Sequence, residues 1–535
     1  MEKKEILYGD SARRALFEGA SKLADAVRPT LGPRGRVVGL SKKFGAPVLI
    51  DDGVTIAKDV ELENTFENMG AALVREASVK TNDQAGDGTT TAIILAHALI
   101  EEGLRTISAG VNGAALHRGI DAAVDAVVAE IAKSSRKLKG SADAVQVATI
   151  SSKDEAIGKL VGETLHKVGL QGVLTVEEGK SLETTVDMVE GLRFDKGYMS
   201  PYFITDVARM EAVLEDPLIL FYEKKISSVA DFLPFLESAA RTGRPIIVIA
   251  EDIENEALAL LVLNRLRGGL KVAACKAPGF GERRKAMLED MATLTGGTVV
   301  SEDIGMKIEN VTIDMLGRAD KVIITKDHTT IVGGKGPKSA ITGRLKQIEA
   351  TIAKSDSKYD KEKLSERLAA LSGGVAVLKV GAATETAMKE RKAKVEDALA
   401  ATRAAMEEGV VVGGGVTLLR AATVISKLKL DEDERVGASI VAKALEAPLR
   451  AIADNSGAEG RVVVQKVKDA KGANGFDAGT LEYEDLEKAG VIDPAKVVRL
   501  TVQNAASIAG MILTTEAAVG EPGDDEDEPH TPPAY

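Results

Sequence analysis

Near the start of the chain, apolar residues recur at the three- and four-residue spacing of an α-helix. Asp10 can cap this helix and Pro29 can end it. Its apolar face consists of Leu16, Ala20, Leu23 and Val27. The same spacing predicts further helices at residues 64–84, 89–109, 384–408, 413–426 and 436–455. Both ends of the chain are therefore predicted to be rich in helix, with short strands at residues 36–40 and 47–50.

The middle of the chain has a different pattern, in which short apolar runs alternate with helical segments. The runs that predict strands lie at residues 218–222, 246–250, 271–275 and 298–300. The segments that predict helices between them lie at residues 228–242, 254–267 and 282–294. This alternation favours an α/β domain with a largely parallel sheet. Residues 341–371 predict a charged αα-hairpin, and helix-rich ends around an α/β middle indicate an inserted domain.

Composition narrows the classes of protein that fit this pattern. A chain of 535 residues with 44% hydrophobic residues is long enough for about two to four domains with sizeable cores. We expect no membrane span and no secretory signal, because the sequence lacks the long apolar runs that both require. A single cysteine, Cys275, excludes internal disulfides and favours a reducing compartment. The net charge of −12 argues against nucleic-acid binding, and the spacing of the five histidines argues against a local zinc site.

The strongest local sign of chemistry is the segment Gly86-Asp87-Gly88-Thr89-Thr90-Thr91, directly before an apolar helix. Glycines let the backbone approach a phosphate, and hydroxyls and free N–H groups at the start of a helix bind the same anion. Asp87 offers an oxygen ligand for Mg²⁺ beside those phosphates. The alternative is an ordinary threonine cap after a glycine turn, for which one threonine would suffice.

Other segments allow both a structural and a functional interpretation. The loop Thr30–Pro33 and the residue Asp52 are turn positions unless they contact a ligand. Asp397 lies in the middle of a predicted helix, where a solvated charge is the usual role. The segment Gly413–Gly415 is either a hinge or the opening of a helix near a ligand. The sequence contains no GxxxxGK[ST] motif, and Arg284 at the third glycine position argues against a dinucleotide fingerprint.

Two segments of the middle region are apolar on nearly all sides of a helix, at residues 232–236 and 257–263. Burial on both faces is the usual explanation for such a helix. The alternative is an exposed apolar patch, which marks a binding surface.

Seven motifs occur along the chain in a fixed order: Thr30–Pro33, Asp52–Gly53, Gly86–Thr91, Tyr198–Phe203, Lys276–Gly281, Val395–Leu399 and Gly413–Gly415. Taken together, these motifs resemble a group I chaperonin of the GroEL type, from about residue 5 to residue 519. The glycine–threonine segment alone does not separate this group from the archaeal and cytosolic group, whereas the later motifs favour group I.

The resemblance implies a multidomain α/β fold. It would have a helical equatorial ATP-binding domain, a small intermediate hinge domain and an inserted α/β apical domain. The implied bounds are 1–133 with 408–519 for the equatorial domain, 134–190 with 375–407 for the intermediate domain and 191–374 for the apical domain. Residues 520–535 are predicted to form a disordered acidic tail. The resemblance also implies seven-membered rings, two of them stacked, in the bacterial cytoplasm; a mature organellar form is the alternative location.

The resemblance further implies ATP, Mg²⁺ and K⁺ as cofactors of the equatorial domain. Asp87 would hold Mg²⁺, and the backbone carbonyl of Thr30 would hold K⁺. Asp397 would orient the attacking water with the assistance of Asp52, since phosphoryl transfer needs charge neutralisation and water positioning more than covalent help. The residues implied to contact the nucleotide are Thr30, Leu31, Gly32, Pro33, Asp87, Gly88, Thr89, Thr90, Thr91, Gly414, Asp477, Ala478, Gly479 and Asp493.

The function that the resemblance implies is that of a chaperonin ATPase. Non-native polypeptides would bind an apolar apical surface, and a GroES-type co-chaperonin would compete for that surface and close a folding chamber. Burial of apolar area at roughly 25 cal/mol per Å² requires no sequence code, so such a surface can hold many different chains. The residues implied for this surface are Tyr198, Tyr202, Phe203, Leu233, Leu236, Leu258, Val262 and Leu263. No nucleic acid or membrane is expected as a partner.

Three features depart from the usual pattern of the group. Asp51 stands where bacterial members usually have lysine, at a position that the family uses close to the phosphates and K⁺. Asp477 and Gly479 stand where asparagine and alanine are usual, and the tail is acidic and proline-rich instead of a Gly-Gly-Met repeat. Two alternatives therefore stay open: a specialised paralogue with weakened ATPase activity, and an ATP-dependent phosphotransferase that uses the Asp87 loop.

Overall fold

The structure is a computed structural model that describes residues 4–41, 47–107, 110–169, 173–179, 181–207, 209–355 and 357–521. The chain divides into two compact units. The first unit combines Met1–His166 with Glu385–Tyr535, and the second comprises Lys167–Thr384, so the second is inserted in the sequence of the first. The mixed α/β, multidomain character agrees with the prediction, whereas the bounds of the three implied domains stay a prediction. Most of the predicted tail, from residue 522 onward, lies outside the described residues.

Helical spacing in the sequence produces helices close to the predicted positions. The α-helices of the described residues are α1 (Gly9–Val27), α2 (Gly53–Asp59), α3 (Thr65–Ala85), α4 (Thr89–Ile107), α5 (Gly113–Ser134), α6 (Ser141–Ser152), α7 (Glu155–Val168), α8 (Val229–Ala240), α9 (Asn255–Leu266), α10 (Gly281–Thr295), α11 (Lys338–Lys354), α12 (Lys358–Ser372), α13 (Glu385–Glu408), α14 (Val416–Ala421), α15 (Glu432–Ala444), α16 (Ala447–Asn455), α17 (Gly460–Asp469), α18 (Leu486–Ala489) and α19 (Ala495–Thr514). The predicted αα-hairpin is confirmed as α11 and α12.

The strands of the described residues are mostly short. They are β1 (Glu5–Tyr8), β2 (Val38–Leu40), β3 (Val48–Ile50), β4 (Val173–Glu178), β5 (Thr185–Val189), β6 (Gly191–Phe194), β7 (Ala212–Glu215), β8 (Leu218–Ile226), β9 (Ile246–Ile253), β10 (Val272–Lys276), β11 (Val299–Val300), β12 (Gly317–Ile324), β13 (Thr329–Gly334), β14 (Val375–Val380), β15 (Val410–Val412), β16 (Asn474–Asp477), β17 (Glu482–Asp485), β18 (Ile492–Pro494) and β19 (Ala517–Gly520). In the first unit β1 pairs with β19, and in the second unit β4, β14 and β5 form a small sheet.

Two predicted helices differ from the structure at their ends. α1 begins at Gly9 after Tyr8, so Asp10 lies inside the first turn and does not cap the helix. The helix predicted at residues 436–455 is in fact the pair α15 and α16. Pro448 lies in the first turn of α16, where its missing N–H group is tolerated, and this explains why a new helix starts there.

Small residues let the helices of the first unit pack closely. A Cβ added to Gly70 of α3 would collide with the Leu16 carbonyl of α1, and one added to Gly19 of α1 would collide with the Glu67 carbonyl of α3. α19 packs against α3, α4 and α5. Its length and apolar character would suit a membrane span, but 67% of that window is buried inside the unit, as in the core helix of a globular domain.

The large sheet of the second unit has the strand order β10-β9-β8-β12-β13-β6, with β11 beside β8 and β7 beside β12. β8, β9 and β10 run parallel because α8 and α9 return the chain between them. β12 runs antiparallel to β8, β13 and β7. The prediction of a largely parallel sheet is therefore wrong for half of the sheet. Continuous apolar runs marked the buried parallel strands, whereas β12 alternates buried and exposed residues and was missed.

Candidate functional site

The glycine–threonine segment forms a tight turn between α3 and α4. Gly86 and Gly88 adopt left-handed backbone angles, with φ of 68° and 81°. A Cβ added to Gly88 would lie 2.6 Å from Val497 Cγ1, so a side chain does not fit there. The carboxylate of Asp87 accepts a hydrogen bond from the Gly88 N–H group (2.6 Å). The turn thus holds Asp87 in a defined position between the two helices.

The first turn of α4 has backbone N–H groups that precede the first hydrogen bond of the helix. The bond from Ala92 N to Gly88 O (3.0 Å) opens the helical ladder, so the N–H groups of Thr89–Thr91 precede it. Thr89 is already helical, and the interpretation of this segment as a plain threonine cap is therefore wrong. A helix start of this kind suits an anion.

Three segments that the sequence singled out meet at this turn. Thr30 ends the 3₁₀ turn Arg28–Thr30 after α1, and its hydroxyl lies 3.4 Å from that of Thr90. Gly53, at the start of α2, lies so close to the Thr90 hydroxyl that any Cβ would collide with it. The loop after α1, the start of α2 and the start of α4 therefore form one site.

The loop Thr30–Pro33 is held in place by α16. The side-chain amide of Asn455 donates hydrogen bonds to the carbonyl groups of Arg28 (2.8 Å) and Leu31 (2.9 Å). Gly32 adopts a φ of 90°, and a Cβ there would lie 3.2 Å from a methyl group of Ile452. Sequence reasoning missed Asn455, because nothing near it in the chain marks it as a partner of this loop.

Asp52 is the N-cap of α2. Its carboxylate accepts hydrogen bonds from the N–H groups of Val54 (3.3 Å) and Thr55 (3.0 Å) and from the Thr55 hydroxyl (2.5 Å). Asp52 therefore has a structural role, but as the cap of a helix and not as the turn residue that was predicted. Its charge also helps to raise the pKa of Asp397, so it belongs to the same cluster of carboxyl groups. Assistance in catalysis stays a prediction.

Asp397 lies on α13 and is partly buried beside other carboxyl groups. Burial raises its pKa well above the ordinary value, and the negative charges of Asp87 and Asp52 raise it further. Burial likewise raises the pKa of Asp87, although the hydrogen bond from Gly88 opposes this. The alternative of a solvated charge on an exposed helix face is therefore wrong for Asp397. A carboxyl group in this setting is a better proton acceptor near neutral pH than an exposed one.

The segment Gly413–Gly415 forms the turn between β15 and α14, and its second and third glycines are left-handed (φ 62° and 79°). β15 pairs with β18, which carries Asp493. The N–H group of Gly413 donates to the carbonyl of Val491 (2.9 Å), and a Cβ at Gly413 would lie 3.0 Å from Asp493 Oδ1. Burial, together with the charge of Asp87, raises the pKa of Asp493 to about 7. The turn and Asp493 therefore border the same site.

The remaining predicted nucleotide contacts lie at the end of β16. Asp477 accepts a hydrogen bond from the Gly479 N–H group (2.7 Å), and Ala478 between them is buried. Arg34, which directly follows the loop Thr30–Pro33, donates to the Gly479 carbonyl (2.9 Å). This contact links the β16 segment to the loop after α1.

Sequence reasoning missed Lys153. Its ammonium group lies 2.9 Å from the Asp51 carboxylate and donates a hydrogen bond to the Thr30 carbonyl (3.3 Å). Burial by itself would raise the pKa of Asp51, but the hydrogen bond and charge of Lys153, with a smaller contribution from Lys394, lower it. No local signal marks Lys153, because a single lysine after a helix is usually a solvated surface residue.

Ser151 was missed as well. Its Oγ atom is buried. Burial raises the pKa of Asp87, and Ser151 is close enough to oppose that rise. Ser151 therefore lies against the Asp87 carboxylate and belongs to the same site.

Comparison with known proteins gives these residues a common context. A sequence model of the TCP-1/cpn60 chaperonin family matches residues 23–521, a range that includes every residue of the site described above. This chain belongs to the TCP-1/cpn60 chaperonin family. The resemblance to a chaperonin of the cpn60/GroEL type is thereby confirmed. The family implies chaperonin function; its general properties are ATPase activity, binding of ATP with Mg²⁺, binding of non-native substrates and assembly into ring oligomers.

The second unit of this chaperonin carries the apolar residues that the resemblance implied for substrate binding. Tyr202 is 62% exposed, and Leu233 of α8 and Leu263 of α9 are also exposed. The half-buried members are Tyr198, Leu258 and Val262. Sequence reasoning missed Leu266, which follows them on α9 and is exposed too.

Phe203 and Leu236 are buried, so the prediction that they contribute to an exposed surface is wrong for this structure. Phe203 ends the 3₁₀ turn Pro201–Phe203, which packs against α9. Leu236 lies with Phe232 and Phe235 on the side of α8 that enters the core of the second unit. Burial, the usual explanation for an apolar helix, thus accounts for Phe232, Phe235 and Leu236 but not for Leu233.

Proposed function

We propose that this chaperonin is an ATP-dependent folding machine that captures non-native polypeptides on the apolar surface of its second unit. Hydrolysis of ATP in the first unit drives their release into a ring chamber closed by a GroES-type co-chaperonin. The supporting observation is the convergence of Thr30, Gly53 and the turn Gly86–Thr91 on one cluster of carboxyl groups. We further propose two stacked seven-membered rings and a location in the bacterial cytoplasm.

Asp87 is the residue best suited to hold Mg²⁺. Its carboxylate is fixed between two glycines. Burial raises its pKa, and a bound cation would stabilise the charged form that burial disfavours. The buried Ser151 hydroxyl provides a further oxygen close to it. Mg²⁺ bound there would neutralise charge on the phosphate oxygens of ATP. The Thr30 carbonyl accepts a hydrogen bond from Lys153 and keeps a second lone pair, so its role as a K⁺ ligand stays a proposal.

The protein groups around Asp87 have different roles in phosphoryl transfer. The amides of Thr89–Thr91 and the loop Thr30–Pro33 bind phosphate oxygens. Asp397 orients the attacking water and accepts its proton, for which a raised pKa is an advantage. Asp52 fixes the start of α2 and adds to the negative field around Asp397. Asp493 and the turn Gly413–Gly415 border the nucleoside.

The exposed apolar side chains of the second unit supply affinity without a sequence code. Full burial of a large apolar side chain contributes about 1.5–3 kcal/mol, so a few contacts hold an unfolded segment reversibly. Release requires the surface to be covered again, and ATP must therefore bind more tightly to a second conformation.

Substitution of Asp397 tests the ATPase assignment. We expect Asp397→Ala to lower the rate of ATP hydrolysis roughly 10²–10⁴-fold, the range for loss of a general base. Binding of Mg-ATP, measured by calorimetry, should persist, because Asp397 is not placed on the phosphates. Glu385→Ala, at the exposed start of the same helix, is the control and should hydrolyse ATP normally. Hydrolysis by the Asp397 variant within about twofold of the unaltered protein would contradict the assignment.

Substitution of Tyr202 tests the binding surface. Tyr202→Glu places a charge in the apolar surface, and we expect it to abolish both suppression of aggregation of a denatured protein and binding of the co-chaperonin. Tyr359→Glu alters another exposed tyrosine of the second unit and should leave both properties intact. If the Tyr202 variant still captures denatured protein, the surface lies elsewhere.

A further inference from the structure

A histidine of α4 lines a cavity next to the loop Thr30–Pro33. His97 lies about 12 Å beyond Thr89 along the same helix, at the helical rise per residue. The cavity has a volume of about 410 Å³ and lies between α1, α4 and α16. Phe17 of α1 stacks on the His97 ring, with ring centroids 5.3 Å apart and an angle of 23° between the planes. This contact fixes the plane of the imidazole between two helices.

The partners of His97 determine which ring nitrogen carries the proton. Nδ1 lies 3.5 Å from Nη2 of Arg28, and Nε2 lies 3.1 Å from Oγ of Ser21. A guanidinium group only donates hydrogen bonds, so Nδ1 is the acceptor and the ring is neutral. Nε2–H then donates to the Ser21 hydroxyl. His97 therefore does not serve as a base that activates Ser21, because the nitrogen that faces Ser21 already carries the proton.

Arg28 connects this histidine to the loop Thr30–Pro33. Its Nη1 atom pairs with the carboxylate of Asp25 (3.2 Å), while its Nη2 atom contacts His97. Its backbone carbonyl accepts the hydrogen bond from Asn455 described above. Arg28 opens the 3₁₀ turn that leads into the loop. A side chain fixed on α4 and a carbonyl fixed on α16 therefore hold the start of the loop.

We propose that His97 is a positioning residue of the ATP site, which accepts a hydrogen bond from Arg28 and so fixes the loop Thr30–Pro33 relative to the amides of Thr89–Thr91. This inference rests on the proposed function. α4 carries both the amides and the histidine, so the helix sets the distance between the two groups that bind phosphate. His97 acts through Arg28 and the loop, and it should therefore affect the affinity for nucleotide and not the chemical step.

This link should fail when His97 becomes protonated. A protonated ring has no acceptor and would lie beside a like charge on Arg28. Burial lowers the pKa of His97 most, and the charges of Arg28 and Arg450 lower it further, whereas Glu101 and Asp25 oppose this. His97 is therefore neutral at pH 8, and the link is lost as the pH falls through the lowered pKa, below about 6.5. The charged groups that line the cavity are Glu18 and Asp25 of α1, Arg28 of the 3₁₀ turn, Glu101 of α4, and Arg450 and Asp454 of α16.

The first test is steady-state ATP hydrolysis by the full, assembled protein at pH 8. His97→Leu removes the acceptor, and we expect the Michaelis constant for Mg-ATP to rise about fivefold, the scale of one lost hydrogen bond. The turnover number should stay within about twofold of normal, because the carboxyl cluster is not displaced. His97→Asn keeps an acceptor oxygen near the place of Nδ1 and should restore most of the affinity. The exposed His166 of α7 provides the control, and His166→Leu should leave both constants unchanged.

The pH profile separates a hydrogen-bond acceptor from a residue that only fills space. Between pH 8 and 5, the Michaelis constant of the unaltered protein should rise relative to that of His97→Asn at the same pH. Comparison at each pH cancels the titration of Asp397 and Asp493, which both proteins share. A constant ratio across this range would overturn the inference.

A double substitution tests whether His97 acts through Arg28. Arg28→Met removes the donor and should raise the Michaelis constant about as much as His97→Leu does. The double variant should be no worse than either single variant, because all three lack the same hydrogen bond. Multiplication of the two effects, to about 25-fold, would mean that the residues act separately. A Michaelis constant for His97→Leu within about twofold of normal would also overturn the inference, whereas failure of the unaltered protein to bind Mg-ATP in calorimetry would overturn the proposed function.

Discussion

Gly53 offers a sharp test of the convergent site, because it contacts the glycine–threonine turn without being a phosphate ligand. In Gly53→Ala the added Cβ would lie 3.1 Å from the Thr89 hydroxyl and 3.1 Å from the Thr90 backbone nitrogen, and it would collide with the Thr90 hydroxyl. The backbone nitrogen cannot rotate away. Either α2 shifts from α4, or Thr90 turns its hydroxyl away from Thr30.

The size of the effect follows from two opposed contributions. Alanine within a helix is favoured over glycine by roughly 0.5–1 kcal/mol. Overpacking of a filled site costs about 1–3 kcal/mol. The balance is a loss of about 1 kcal/mol of stability, and a displaced phosphate-binding group should lower the rate of ATP hydrolysis roughly 10–100-fold.

The assay is steady-state release of phosphate, together with the dissociation constant of Mg-ATP from calorimetry. Gly39→Ala is the matched control, since a Cβ at Gly39 would lie 3.6 Å from Leu49 Cδ2, an ordinary contact. It should hydrolyse ATP at the normal rate. If Gly53→Ala hydrolyses and binds ATP within about twofold of the unaltered protein, the proposed convergence of α2 and α4 on the phosphates is wrong.

Three further outcomes follow from burial and hydrogen bonding. The pKa of Asp493 is raised to about 7, so the folded chain binds this proton more tightly than the unfolded chain does. The resulting stability is present at low pH and is lost as the pH rises through about 7. Asp493→Asn should therefore flatten the fall in unfolding temperature measured between pH 5 and 8. Burial raises the pKa of the Cys275 thiol to about 12, and thiol reagents should therefore label native protein far more slowly than protein in denaturant; rapid labelling of the native protein would contradict the buried position. Asn455→Ala removes one hydrogen bond to the loop Thr30–Pro33, at the Leu31 carbonyl, and one to the Arg28 carbonyl just before it. The Michaelis constant for ATP should therefore rise several-fold with little change in client binding, and an unchanged constant would mean that α16 does not hold the loop.

The carboxyl cluster explains why a family motif identified Asp397 as a candidate catalytic residue, whereas the residues next to it in the sequence did not. Within its helix it has the pattern of a solvated residue. Its pKa is raised first by burial and then by the charges of Asp87 and Asp52, which lie hundreds of positions earlier and reach it only through the packing of helices. The family resemblance supplied the candidate, and the folded chain supplies the electrostatic reason.

Local chemistry was readable from the sequence alone. Helical spacing located most helices within a few residues. The two glycines around Asp87 predicted a turn with left-handed backbone angles, which glycine adopts readily. These features depend on neighbours in the chain, so a linear pattern records them.

Tertiary packing decided which surfaces are covered and which charges meet. It buried Phe203 and Leu236 but left Tyr202 and Leu233 exposed, although all four are apolar residues in similar local patterns. It made half of the large sheet antiparallel. It also placed Lys153 against the carboxylate at position 51, a pairing between residues 102 positions apart. Such contacts form because helices and strands that are distant in the sequence share one core. The periodicity of a segment does not specify which distant segment packs against it.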